Sequence, residues 1–184
     1  MSNLVAHSAI GSSPQYWPQQ NLRLEERAGL GLLRLQVYRA DPEIKQAIAQ
    51  SLEMALPEAG YFSEQDDKRI HWLTPTEWLL VLPSTQVDTL SAQLECQPVY
   101  LTDMSDSRVT LQLTGEQSSQ LLAQGCALDL QDRAFPQGSS TVTKLTKIPA
   151  MVSRTGEQYF EVTVDRSLAD YIWNWLVDGV EGLV

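Results

Sequence analysis

The chain has 184 residues, of which 43% are hydrophobic, and its 23 acidic and 13 basic side chains give a formal net charge of −10. This charge argues against nucleic acid and anionic membranes as partners, because both are bound by basic faces. The length predicts one domain or two lobes that share a core.

Cysteine usage and hydropathy favour a cytoplasmic protein. Cys96 and Cys126 lie far apart without a CxxC motif, so buried thiols in a reducing compartment are expected rather than a disulfide. No run approaches the roughly 20 apolar residues of a membrane span. The first residues lack the basic and apolar regions of a signal peptide. We expect no membrane partner.

Residues 1–21 are polar and rich in turns, with Tyr16 and Trp17 as their large aromatic side chains. A segment of this composition cannot build its own core. We expect an extended N-terminal arm. Its two aromatic residues either contact a partner, as tyrosine and tryptophan often do at interfaces, or cover the surface of the chain's own domain.

Residues 22 to about 102 predict a first lobe. Asp41 and Pro42 predict the N-cap and first position of a helix, and Ser84 predicts the start of another. Gly29 to Gly31 predict a turn between the first two strands. Strands are indicated by alternating or continuous apolar residues at 22–24, 33–37, 70–73, 77–82 and 98–101. The order from strand 33–37 onward is β-α-β-β-α-β, a ferredoxin-like split βαβ unit.

Residues 103 to 184 predict a second, similar lobe. Thr114 and Gln117 fit a capping box, and Gly125 suits the position that follows a helix. The remaining elements are strands at 109–113, 141–147, 148–153 and 160–164, an irregular segment at 125–138, and a last helix. Together, residues 22–184 predict an α+β domain of two lobes.

The last helix raises a question about Trp173. Its apolar face is predicted to contain Leu168, Tyr171, Ile172, Trp175 and Leu176. Trp173 lies about 200° from Trp175 around the helix, so we expect it to be less buried. Contact with another subunit and burial under the arm or a loop both explain such a tryptophan.

Motifs for catalysis or cofactor binding are not evident. The sequence has no GxGxxG, Walker or HExxH motif, and its two histidines and two cysteines lack metal-ligand spacing. Asp103 and Asp106 could act as a general base pair, but Asp-x-Ser at a strand end is more typical of a turn. We expect no catalytic, cofactor-binding or metal-binding residue on this chain.

Four segments identify a family resemblance: Asp103–Val109, Leu111–Gly115, Gly125–Leu130 and Ala134–Gly138. Together they resemble the gamma subunit of heterotetrameric sarcosine oxidase, and flanking matches extend the resemblance over residues 22–177. The Asp-x-Ser strand start is shared more widely, with the folate-binding aminomethyltransferase (T-protein) superfamily. The resemblance therefore implies a T-protein-like folate-binding-domain fold, made of two ferredoxin-like split β-α-β halves sharing a core.

The same resemblance implies that the folate chemistry has been lost. In the superfamily the catalytic aspartate lies on the strand before a hairpin, which here corresponds to residues 147–152. That stretch has no carboxylate, and neither Ile148 nor Pro149 can act as a base. The alternative is a stand-alone folate-binding or aminomethyltransferase-like module.

The resemblance also implies an assembly. The oxidase demethylates sarcosine to glycine, forming hydrogen peroxide and 5,10-methylenetetrahydrofolate. FAD, FMN, NAD, tetrahydrofolate and zinc are expected on the alpha, beta and delta subunits, with this chain as a noncatalytic partner. The segment 126–138 is long enough to reach a neighbour. Candidate interface residues are Tyr16, Trp17, Arg133, Phe135 and Trp173.

Overall fold

A computed structural model describes residues 8–11 and 13–183. Within these ranges the chain forms eleven β-strands, arranged in two antiparallel sheets, and four α-helices. The strands are β1 (Gln15–Trp17), β2 (Leu22–Glu26), β3 (Leu30–Gln36), β4 (Phe62–Gln65), β5 (Lys68–Thr74), β6 (Glu77–Pro83), β7 (Tyr100–Asp103), β8 (Arg108–Gly115), β9 (Ser140–Leu145), β10 (Ile148–Gly156) and β11 (Tyr159–Asp165). The helices are α1 (Pro42–Leu52), α2 (Val87–Leu94), α3 (Ser118–Ala123) and α4 (Ala169–Val180).

The five-stranded sheet has the order β4-β5-β6-β3-β7. Four of these strands, with α1 and α2 between them in sequence, have the order of the predicted ferredoxin-like unit, and β4 is added at the edge. Helix α1 begins at Asp41 and Pro42, as predicted. Both helices cover one face of the sheet, where the buried core includes Leu33, Leu35, Ile48, Leu80, Leu82 and Leu90.

The six-stranded sheet has the order β1-β2-β8-β11-β10-β9, and α3 and α4 cover one face of it. Strands β8, β11 and β10 correspond to β3, β6 and β5 of the other sheet. On the side of β3 away from β6 lies β7, which follows α2 in the chain. The corresponding place beside β8 is taken by β2, from the N-terminal part of the sequence. The second lobe is therefore completed by a strand that precedes the first lobe.

This topology corrects two predicted boundaries. Residues 15–17, predicted to lie in an extended arm, form β1, and residues 22–24, predicted to open the first lobe, form β2 of the second lobe's sheet. Leu22 and Leu24 are fully buried there. Alternation in a strand identifies its buried face but not its sheet. The predicted turn at Gly29 is present, but it carries the chain from one sheet to the other.

Gly115 permits the approach of β2 to β8. It adopts a φ of 127°, and a Cβ atom at this position would lie 1.7 Å from the carbonyl oxygen of Asn21. The predicted capping box at Thr114 and Gln117 is wrong, because Thr114 remains in β8, paired with β2 and β11. Helix α3 starts after Gln117, whose side chain forms no capping hydrogen bond.

The predicted buried face of α4 is correct at Ile172 and Leu176 but wrong at Tyr171 and Trp173. Its buried residues are Ala169, Ile172, Trp173, Leu176 and Val180. Trp173 is 5% exposed and lies in the core of the second lobe, whereas Tyr171 is 47% exposed. The helix has apolar side chains over more than one stripe, so spacing alone did not decide which stripe faces the sheet. Trp175 is half-buried and covers Gly125, where a Cβ atom would lie 2.6 Å from the indole ring.

The faces of the two sheets that carry no helices face each other. Leu32, Leu79, Val81 and Met151 form a small apolar cluster between them. Polar residues from both sheets lie beside this cluster. In the described part of the chain, no helix is long and apolar enough to span a bilayer.

Candidate functional site

A cleft of about 360 Å³ opens between the two sheets. Such a volume is within the range of ligand pockets and also fits a few side chains of a partner. Its walls are largely apolar, with Leu73, Leu79, Met104, Met151 and Val164 among the lining residues. The alternation of the strands explains part of this lining, because Leu79 of β6, Met151 of β10 and Thr163 of β11 point away from the helices.

Two ion pairs lie in the cleft. A guanidinium nitrogen of Arg34 lies 2.7 Å from a carboxylate oxygen of Glu77 on the five-stranded sheet. On the six-stranded sheet, Arg108 and Asp165 are 2.9 Å apart. Hydrogen bonds from Ser167, together with Arg108, hold the pKa of Asp165 below its usual value. Each of the four charges thus has an oppositely charged partner within the chain.

The stretch that would carry the superfamily's catalytic aspartate forms one wall of this cleft. Residues 148–152 lie in β10, and Pro149, Ala150 and Met151 line the cleft. None of these side chains can accept or donate a proton. The wall that these residues form is therefore apolar and offers no group for proton transfer.

A buried polar network connects the sheets beside the cleft. Glu161 of β11 is 2.6 Å from Arg69 of β5 and 3.4 Å from Arg27. Arg69 also pairs with Glu64 at 3.0 Å and lies over the ring of Phe62. Because the side chain of Glu161 is 7% exposed, its two arginine partners compensate the cost of burying the charge.

His71 lies in the same interior, bonded to two serines. Its Nδ1 is 2.8 Å from the hydroxyl of Ser140 and 3.4 Å from that of Ser153. Burial, and then the charge of Arg69, lowers the pKa of His71 to about 3. A neutral imidazole that is 1% exposed cannot exchange protons readily with a substrate. Its contacts connect β5 of one sheet with β9 and β10 of the other.

The predicted turn at Asp103 is confirmed. A carboxylate oxygen of Asp103 accepts a hydrogen bond of 2.9 Å from the backbone of Ser105, and the hydroxyl of Ser105 accepts one of 3.0 Å from the backbone of Leu32. Asp103 and Ser105 thus fix the entry to β8 against β3. Across residues 8–11 and 13–183, no group of three His, Cys, Asp or Glu side chains is placed to hold a metal ion.

The predicted interface residues are in two kinds of environment. Tyr16 is 61% exposed and the side chain of Arg133 is 79% exposed, whereas Trp17 is half-buried against the core of the second lobe. Phe135 and Trp173 are 6% and 5% exposed. These two side chains are packed inside the chain, so they cannot contact a partner in this conformation.

Arg154 explains why the segment 126–138 packs inward. Its guanidinium group donates to the carbonyl of Phe135 at 3.0 Å and to that of Gly156 at 3.3 Å, and it pairs with Asp132. The side chain also lies over the ring of Phe160. Sequence reasoning missed this role. An arginine in a strand of buried residues was the available signal, because such a charge needs partners.

Two ferredoxin-like lobes that face each other define the class of the protein as a T-protein-like fold. The glycine cleavage system aminomethyltransferase T from Bartonella henselae is similar over 85% of this chain and 45% of its own, with a TM-score of 0.65 and 16% identity. The regulatory subunit of aspartate kinase from Thermus thermophilus has a TM-score of 0.51 and 11% identity, over 85% of this chain and 95% of its own. Both likenesses show the fold alone.

The chain belongs to the sarcosine oxidase gamma subunit family, whose model matches residues 37–181. Sarcosine oxidase subunit gamma of Corynebacterium sp. (strain U-96) is 30% identical over 138 residues, 73% of this chain and 67% of that protein. The subunit gamma of an Arthrobacter species is also 30% identical, over 73% of this chain and 68% of its own.

A solved structure supports the same relationship. A chain of heterotetrameric sarcosine oxidase from Corynebacterium sp. U-96, in complex with pyrrole 2-carboxylate, matches with a TM-score of 0.81 and 27% identity. The match covers 91% of this chain and 87% of that chain. The resemblance and the fold class predicted from sequence are therefore confirmed.

Proposed function

We propose that this chain is the gamma subunit of a heterotetrameric sarcosine oxidase and that its role in the complex is noncatalytic. The proposed complex oxidatively demethylates sarcosine to glycine and forms hydrogen peroxide and 5,10-methylenetetrahydrofolate. The chain supports the assembly of this flavoenzyme through its surface. The proposed location is the cytoplasm.

The observation that carries the noncatalytic role is the composition of the cleft between the sheets. The family match makes the chain a relative of oxidase subunits, and the fold match gives it the scaffold of an aminomethyltransferase. In that scaffold, the charged groups of the cleft form the Arg34–Glu77 and Arg108–Asp165 ion pairs. Strand β10 contributes the apolar side chains of Pro149 and Met151 to the lining of the cleft. The geometry supports a packed subunit better than a catalytic one.

The proposed partners are the alpha, beta and delta subunits of the oxidase. FAD, FMN, NAD, tetrahydrofolate and zinc are proposed to be bound by those subunits. This chain has a net charge of −10. Over most of the surface of this chain, contact with basic or neutral patches of a partner is therefore electrostatically favourable.

The proposal is tested by expressing the chain with and without the alpha, beta and delta subunits of its own complex. We expect a single complex that contains all four chains, and we expect the isolated chain to have no oxidase activity. An oxidase that assembles fully without this chain, with the chain eluting separately, would contradict the proposal.

A second candidate function is folate binding by the isolated chain, which the position of the cleft between the two lobes favours. The cleft is open and has a volume suited to part of such a ligand. Its paired charges disfavour this function. The two candidates are separated by titration of the isolated chain with tetrahydrofolate, as described in the Discussion.

A further inference from the structure

The hairpin of β9 and β10 differs in charge from the rest of the chain. Residues 140–156, which form this hairpin, contain three basic residues, Lys144, Lys147 and Arg154, and no aspartate or glutamate, in a chain with a net charge of −10. Lys144 and Lys147 are exposed, and neither belongs to an ion pair recorded among the described residues. Arg154 is buried and paired with Asp132, so the basic surface of this hairpin consists of Lys144 and Lys147.

Strand β9 is also an open edge of the six-stranded sheet. It pairs with β10 on one side. On its other side, the N–H of Ser140 donates to the carbonyl of Gly60 at 2.8 Å, and that of Thr146 donates to Gly125 at 2.6 Å. Both ends of the edge are thus covered.

The middle of this edge has a different environment. Because backbone groups alternate in direction along an antiparallel strand, those of Val142 face outward between the two covered ends. No outward backbone hydrogen bond of Val142 is recorded within the described residues. The sequence Thr141-Val142-Thr143 is rich in β-branched residues, which favour extended pairing.

The open edge adjoins the cleft between the sheets. Val142 lines the cleft and is 56% exposed. Lys144 lies two residues further along the strand, so its side chain projects from the same face as that of Val142. Across the ladder, Lys144 is opposite Pro149, another lining residue. Basic charge, unpaired backbone and apolar cleft therefore occur together in one place.

We propose that this edge docks an extended, acidic segment of a partner subunit of the oxidase. The segment pairs with the backbone of Val142, inserts an apolar side chain into the cleft, and places carboxylates near Lys144 and Lys147. Strand addition of this kind derives affinity from main-chain hydrogen bonds and specificity from pockets for alternate side chains. An apolar inserted group fits because the cleft's own charges are already paired. The proposal rests on the proposed function, since it names the surface used in that complex.

Backbone pairing is tested with two substitutions of Val142. Val142→Pro removes the outward N–H but leaves the ladder to β10, since proline is tolerated on an edge strand when its missing N–H faces solvent. Val142→Thr keeps the N–H and the β-branched shape and is the matched control. We expect binding to a complex of the alpha, beta and delta subunits to weaken by about tenfold for Val142→Pro and to change less than about twofold for the control. Equal affinities of wild type and Val142→Pro would overturn the proposal.

Charge is tested with a pair of double substitutions. Lys144→Glu with Lys147→Glu reverses the charge of the proposed surface. Lys45→Glu with Lys68→Glu makes the same change at two lysines elsewhere on the chain. We expect the first variant to bind at least about tenfold more weakly and to lose much of the salt dependence of association. An equal loss in both variants would show a general charge effect and would overturn the proposal.

The outcomes also separate this proposal from the proposed function. If wild type binds the partner subunits and the variants bind equally well, the chain remains an oxidase subunit but docks elsewhere. If wild type does not bind those subunits, both proposals are wrong. If wild type forms homodimers that Val142→Pro abolishes, the edge binds a second copy, and the partner-subunit proposal is overturned. Far-ultraviolet circular dichroism and thermal unfolding of each variant verify that it is folded.

Discussion

Arg69 of β5 and Glu161 of β11 belong to different sheets, yet a guanidinium nitrogen and a carboxylate oxygen lie 2.6 Å apart in the interior between them. Arg27 adds a second cation to the same carboxylate at 3.4 Å. The relative position of the two lobes therefore depends on a charged contact as well as on apolar packing. Such a contact is costly to break from one side, because the remaining charges stay buried.

The first prediction concerns this contact. Glu161→Gln removes the charge that Arg69 and Arg27 share, and we expect the free energy of unfolding to fall by about 3 kcal/mol. Glu25→Gln is the matched control, because Glu25 pairs with Arg23, whose side chain is 53% exposed, and exposed pairs contribute less than about 1 kcal/mol. Urea unfolding of both variants measures the difference. Equal losses would show that the buried pair does not fix the lobes.

The second prediction concerns pH. The pKa of His71 is lowered from 6.5 to about 3 by burial and by Arg69. Below pH 6.5 the unfolded chain binds a proton that the folded chain excludes down to about pH 3. The stability contribution of His71 is therefore complete at neutral pH and falls as pH falls through this window, by about 1.4 kcal/mol per pH unit.

The measurement compares wild type with His71→Phe. Carboxylates affect both proteins alike, so the difference between their slopes of unfolding free energy against pH isolates His71. We expect a shallower slope for His71→Phe between pH 6.5 and 4.5. Parallel slopes would mean that His71 is protonated in the folded protein.

The third prediction concerns β2. Leu24 is fully buried in the core of the second lobe, so we expect Leu24→Ala to lower the free energy of unfolding by about 2–5 kcal/mol. Tyr16→Ala, at a residue 61% exposed on the neighbouring strand, should change it by less than about 0.5 kcal/mol. Removal of residues 1–36, which leaves the family-matched segment, should abolish folding because it deletes β2 and the central strand β3. A folded truncated chain would contradict the assigned sheet order.

The fourth prediction concerns Arg154, which holds the segment 126–138 against the second lobe. We expect Arg154→Met to loosen this segment and to speed tryptic cleavage after the exposed Arg133 by at least about tenfold, since several hydrogen bonds to a charged group are lost. Arg23→Met, at an exposed arginine on β2, is the control and should leave the cleavage rate unchanged. Mass spectrometry of the early fragments identifies the site.

The fifth prediction concerns tetrahydrofolate. We expect no saturable heat when the isolated chain is titrated with it at submillimolar concentrations, because Arg34 and Arg108 are already paired with carboxylates. Saturable binding that is lost in Met151→Glu would instead favour the folate-binding function. Met151→Glu places an unpaired charge in the cleft, and Met54→Leu, in the first lobe's core, is a conservative control.

The sequence allowed the fold class and most strands to be predicted, because their alternation is local. Val109, Leu111 and Leu113 indicated a half-buried strand, and they form the buried face of β8. The partner of β2 could not be predicted, because Leu22 and Leu24 would alternate in the same way in either sheet. Trp173 was misplaced for a related reason: a helix with two apolar stripes offers two possible faces.

The candidate site was predicted less well than the fold. The lack of a carboxylate at residues 147–152 could be recognised from the resemblance, and β10 places residues 148–152 at the cleft or beside it. The contacts of Arg69, Glu161 and Arg154 could not be recognised, because Arg69 lies 92 residues from Glu161 and Arg154 lies 19 residues from Phe135 along the chain. Ion pairs between residues far apart in the sequence leave no periodic pattern, so they can be identified only from the folded structure.

The completion of the second lobe by β2 has a consequence for synthesis on the ribosome. Leu22 pairs with Gly115, so β2, which can pair only with β1 when it emerges, lacks its second neighbour until β8 has been translated. At roughly 5–20 residues per second, this delay is on the order of 5–20 s. The first lobe can fold in the meantime, because its last strand, β7, is translated before β8. The nascent chain therefore carries a leucine-bearing strand that is unpaired on one side, and chaperones that bind extended apolar segments have time to act on it before β8 pairs with it.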